Sequence, residues 1–158
     1  MRRIIAAAVS LCLLFCVGCS GKTAEVNCRG ISFDFALENE EQSVSVNAIS
    51  NENGDILFSI TGGNIDGLKV QFAGESIKTE FLGITEEFTG DTDFGVLSAI
   101  YNIFSALHNT EVQKSGDEYI AEHSLKDINA TLTVTELGLP IALTLGETEI
   151  QFNNIKVI

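Results

Sequence analysis

The sequence predicts a mainly β, α+β domain: a curved antiparallel sheet, or half-barrel, with one central helix packed on its concave face. Three observations carry that expectation. Apolar and polar residues alternate with a period of two over most of the chain. Glycine-containing turn pairs separate the alternating runs. A single stretch, Phe94 to His108, switches to helical spacing.

The N-terminus stands apart from this pattern. Arg2 and Arg3 precede an apolar run of fourteen residues, Ile4 to Val17, too short to span a bilayer, which takes about 20. The small Gly18 comes next, then Cys19 and the polar Ser20-Gly21-Lys22, so cleavage would make Cys19 the first mature residue. Phe15-Cys16-Val17-Gly18-Cys19 is similar to a lipobox, with Cys16 where leucine is usual. Residues 1–18 are therefore expected to be a lipoprotein signal peptide, 19–28 a lipidated tether, and 29–158 one half-barrel domain. The lipid on Cys19 would hold the protein on the extracytoplasmic side of a bacterial membrane: the cytoplasmic membrane in a monoderm cell, the outer membrane in a diderm one.

Charge and cysteine usage narrow the partners. Loss of Arg2 and Arg3 leaves seven basic against 22 acidic residues, a mature net charge of −15. Such a surface repels nucleic-acid phosphates and anionic headgroups, so nucleic acid is excluded as a partner and the lipid must supply the membrane attachment. Cys12 and Cys16 leave with the signal and Cys19 is lipidated. Cys28 alone remains, without a partner for an internal disulfide, and reads as a small apolar residue near the first strand.

The elements follow in order. Ile31, Phe33, Phe35 and Leu37 alternate with Ser32, Asp34, Ala36 and Glu38; Val44, Val46 and Ala48 with Ser45 and Asn47. Asn53-Gly54 suits a type I′ hairpin. Leu68, Val70 and Phe72, then Ile77 and Phe81, continue the alternation between turns at Gly62-Gly63, Asp66-Gly67 and Gly74-Glu75. The helical stretch follows, with Asp91, Thr92 or Asp93 to cap its start and Asn109 its end; its apolar face is wide enough to lie against the dry face of the sheet. After Gly116-Asp117, strands run through Leu132 and Val134, then Ile141, Leu143 and Leu145, and after Gly146-Glu147 through Ile150 and Phe152. Apolar positions then change from even to odd numbers at Ile155 and Val157, which predicts a bulge at Asn153-Asn154.

Chemistry-bearing patterns are few, and no catalytic residues, metal ligands or cofactor are expected. His108 and His123 lie in no H-E-x-x-H pattern; the first reads as a charge partner at the helix C-terminus, the second as a strand residue. Asp91-Thr92-Asp93 and Asn51 to Asp55 lack the twelve-residue spacing of a calcium loop and read as hydrophilic turns.

The stretch Thr133 to Ile141, with Gly138-Leu139-Pro140 between two strands, and the stretch Glu149 to Ile155 resemble the LolA/LolB-like lipoprotein-carrier superfamily. Gly138 permits a reversal, and Pro140 fixes φ where a new strand begins. The resemblance implies an apolar groove for a lipid or acyl chain between sheet and helix. Alternation and helical spacing put Phe33, Phe35, Phe58, Ile60, Phe72, Phe81, Leu97, Ile100, Tyr101 and Phe104 on the dry face, and these are the expected lining residues. The alternative is a non-enzymatic envelope scaffold that supports a partner protein on a filled core.

Overall fold

The computed structural model describes residues 21–38, 43–90, 92–125 and 127–158. The signal segment, Cys19 and the capping candidate Asp91 lie outside the described residues. The described chain is mainly β: two antiparallel sheets and one α-helix, α1, Val96–Leu107. The first sheet runs β1 (Thr23–Glu25), β8 (Glu111–Ser115), β9 (Glu118–Leu125), β10 (Ile128–Val134), β11 (Pro140–Leu145), β12 (Thr148–Gln151). The second runs β13 (Asn153–Val157), β2 (Ile31–Glu38), β3 (Ser43–Ser50), β4 (Ile56–Thr61), β5 (Lys69–Ala73), β6 (Ser76–Phe81), β7 (Ile84–Thr89).

Two sheets replace the one expected, and Phe152 is the reason. It lies between β12 and β13, its N–H donates to the Ile141 carbonyl at 2.7 Å, and its ring is buried against Phe33 at 5.0 Å and Phe104 at 5.7 Å. One strand's worth of chain thus serves the first sheet before Phe152 and the second after it. The expected bulge follows: the β13–β2 register shifts between Asn153 and Lys156, with Asn154 at φ 52°. Asp34 anchors the bulge from β2, accepting from Asn154 Nδ2 at 2.8 Å and from Asn47 Nδ2 on β3 at 2.7 Å. Those two hydrogen bonds hold its carboxyl below the usual aspartate range.

Rings cross the second sheet in a connected series. Phe35 meets Phe58 at 6.3 Å, Phe58 meets Phe72 at 5.8 Å, and Phe72 stacks on Tyr101 of α1 at 5.1 Å. Phe94 then joins Phe72 to Phe88 on β7. Edge-to-face contacts of this kind add about 0.5–1.5 kcal/mol per pair beyond burial. With Leu97, Ile100, Ile103, Phe104 and Leu107 buried on the helix, most of the space between the sheets is filled.

Residues 23–28 belong to the fold, so the domain begins earlier than residue 29. β1 pairs with β8 from Thr23↔Gln113 to Glu25↔Glu111, and Ala24, Val26 and Cys28 are buried. Val26 exchanges hydrogen bonds with the end of the helix, donating to Thr110 and accepting from Asn109, whose φ of 64° ends α1 as expected. Three residues give no visible period, which is why the sequence pattern does not announce β1.

The turn before β4 also differs from expectation. Only Gly54 takes positive φ there, at 91°, and its N–H donates to Asn51, which pairs in turn with Asp55. Asn51 Oδ1 accepts from the N–H groups of Asn53 and Asp55. An asparagine side chain that satisfies two backbone donors favours this longer loop over a two-residue turn. The Thr135–Leu139 turn repeats the scheme with Thr135 Oγ1 as acceptor and Gly138 at φ 77°.

Candidate ligand cleft

At the N-terminal end of α1 the packing opens into a cleft of about 410 Å³. Its walls come from five places in the chain: Phe72 to Ile77 around the β5–β6 turn; Gly90, Thr92, Asp93 and Gly95 before the helix; the outer face of the first half of α1; Leu125 and Ile128 of the β9–β10 hairpin; and Leu145 and Thr148 of the β11–β12 hairpin. Phe72, Ile77, Val96, Ala99, Leu125, Ile128 and Leu145 supply apolar surface, while Glu75, Asp93, Thr92, Asn102 and Thr148 supply polar groups.

Hydrogen bonds hold the wall nearest the helix. Tyr101 Oη donates to the Gly74 carbonyl at 3.2 Å, and the Gly90 N–H donates to the Glu75 carbonyl at 3.3 Å. The helix start lacks the expected side-chain cap: Gly95 occupies the capping position at φ 60°, and the Asp93 carboxylate accepts from the Gly95 N–H at 2.8 Å. Ser98 Oγ, one turn inward, accepts from the Phe94 N–H at 2.8 Å. These bonds fix the loop from the side that faces the cleft.

Of the ten expected lining residues, Phe72 and Tyr101 line this cleft. Phe33, Phe35, Phe58, Ile60, Leu97, Ile100 and Phe104 are buried among one another in the core. Phe81 is half-buried at the end of β6, beside the Leu82-Gly83 turn. Leu125 and Ile128 were missed because they flank a hairpin turn outside any alternating run, and Leu145 because its alternation marks a strand without showing that its end opens on a cleft. The available signal was an apolar residue on either side of the polar pair Lys126-Asp127 in the sequence, with Ile128 half exposed.

Two further titratable groups, Cys28 and His108, lie at the opposite end of α1. Burial raises the Cys28 thiol to about 12, against the pull of the Arg29 charge, which leaves it a small apolar residue. His108 departs from the role expected of it: its Nδ1 accepts from the Cys28 N–H at 3.4 Å, which requires the neutral ring. Burial, then the Arg29 charge, holds it below the ordinary histidine value. The folded state therefore resists protonation of His108; its contribution is full above the unfolded value of about 6.5 and declines as pH falls through the folded one. The midpoint of thermal unfolding is expected to drop more between pH 7 and pH 5 in the parent protein than in His108→Asn, as scanning calorimetry would read. Equal drops would remove the ring from the acid response.

No helix of the described residues is long and apolar enough to cross a membrane. No protein-family model matches the chain, and no curated protein matches it.

Proposed function

We propose that this chain is a membrane-anchored bacterial lipoprotein, attached through lipid on Cys19, whose domain binds a small molecule with an apolar body in the cleft beside α1. The observation that carries the reading is the cleft itself. Its volume of about 410 Å³ falls within the roughly 300–1,000 Å³ of small-ligand sites, and it pairs apolar walls with a few polar groups. On this reading the two sheets act as one half-barrel that bends at Phe152 and receives α1, the architecture implied by the resemblance of the Gly138-Leu139-Pro140 region to lipoprotein carriers.

Strand directions set the cleft apart from the anchor. Thr23 follows Cys19 by four residues, a reach of at most about 14 Å. Lys22 lies near the β8–β9 end of the first sheet, where its carbonyl accepts from Lys114 and its ammonium pairs with Glu136 at 3.2 Å. The cleft takes its walls from the other end of β9, roughly 24 Å along an eight-residue strand. On this reading the ligand is drawn from the aqueous side of the envelope.

Cys19→Ser is expected to move the protein from membranes to the soluble fraction. On that form, the neutral apolar dye N-phenyl-1-naphthylamine should brighten on binding. Ala99→Phe, which fills the cleft from a half-buried helix position, should abolish the signal and change stability by less than about 1 kcal/mol. Absence of dye binding to the parent would favour the scaffold reading. That reading has one observation behind it: the β6–β7 hairpin presents Leu82 and Ile84 at 83 % and 66 % exposure.

A further inference from the structure

We infer that the cleft selects amphiphiles with a cationic, amine-type head over neutral and anionic ones of the same chain length; the inference rests on the cleft being a ligand site. The polar groups of the lining carry charge of one sign. Glu75 and Asp93 both line the cleft, and no lysine, arginine or histidine does so among the described residues. Among the described residues, the β9–β10 and β11–β12 turns that flank the cleft add two exposed carboxylates, Asp127 and Glu147.

Among the described residues, the positive end of the helix is already engaged. The N-terminal end of α1 would attract an anion, but the Asp93 carboxylate accepts the Gly95 N–H there. Of the other cations, the Lys22 ammonium is paired with Glu136 and the Lys69 ammonium with Glu80, at 3.6 Å. An apolar body seated against Phe72, Ile77 and Leu145 would thus place its head beside carboxylates. A carboxylate head meets repulsion there, an alcohol neither gain nor loss, and an ammonium attraction.

The test uses the soluble Cys19→Ser chain and displacement of N-phenyl-1-naphthylamine by dodecylamine, dodecanol and dodecanoate, each below its aggregation threshold. The amine should bind about five- to tenfold more tightly than the alcohol at low salt, as expected for two exposed charge contacts, and dodecanoate more weakly than either. The amine's advantage should shrink at high salt. Glu75→Gln combined with Asp93→Asn should bring amine and alcohol together without moving the alcohol, since the amide that replaces the Asp93 carboxylate keeps an oxygen for the Gly95 N–H. Glu25→Gln with Glu111→Gln removes the same charge at the far end of α1 and should leave the amine preference intact. Dodecanoate binding as well as dodecylamine, or a preference lost equally in the control pair, would overturn the head-group assignment while the ligand site stands. Failure of the dye and all three amphiphiles to bind would overturn both.

Discussion

Gly138→Ala is expected to cost about 3–5 kcal/mol and to free β1 from the domain. A Cβ at this position would lie 1.7 Å from the Glu25 carbonyl oxygen and 2.7 Å from its carbon. Both are backbone atoms of β1, so no side chain can swing aside. The clash adds to the penalty of positive φ, 77° here, which an alanine bears at about 1 kcal/mol. The Gly138 carbonyl also accepts the Asn27 N–H at 2.9 Å, and any shift that relieves the clash loosens that bond. Gly74→Ala is the control: its φ is 59° but nothing lies within 4 Å of the added carbon, so only the conformational cost of about 1 kcal/mol applies. Urea unfolding of both variants, with amide exchange at Ala24 and Val26, would check the difference. Equal losses, with β1 still protected, would mean that the turn does not clamp the first strand.

Leu97→Glu is expected to lower stability by several kcal/mol, whereas Ala99→Glu should be tolerated within about 1 kcal/mol. Leu97 is buried in the core beneath α1, and Ala99, two residues on, faces the cleft. A carboxylate at position 97 must stay charged without a partner or take up a proton, and both outcomes are costly in a close-packed interior. At position 99 it reaches water through the cleft mouth. With a total stability of about 5–15 kcal/mol for a domain of this kind, the first change is enough to leave much of the chain unfolded at about 37 °C. Urea midpoints for the two variants would read the contrast. A normal midpoint for Leu97→Glu would mean that the apolar face of α1 is turned differently from the one described.

Strand faces were legible wherever one side was dry. Phe33, Phe35, Phe58 and Phe72 are buried as their alternation required, Pro140 opens a strand, and Asn153-Asn154 bulges. β7 was not legible, because Ile84–Thr89 is almost wholly exposed and so has no dry face to mark. His108 was misread for a related reason: its position at a helix end suggested a cation, and only the Cys28 amide, eighty residues away in sequence, makes it an acceptor. The cleft was the least legible feature. Its walls join residues from five separated stretches, and periodicity within a stretch does not show which stretches meet.

By itself the sequence determined most of the secondary structure of the described residues, including the helix α1 and its buried face, since alternation, helical spacing and turn residues act through sterics and solvation within a few residues. Tertiary structure decided the rest: the division into two sheets at Phe152, the pairing of β1 with β8 across some ninety residues, and the cleft at the end of α1. Those depend on which distant surfaces fit once the core is filled. A large buried ring that displaces a strand, or a hairpin that falls short of a helix, has its cause in close packing between segments rather than in the pattern of either one.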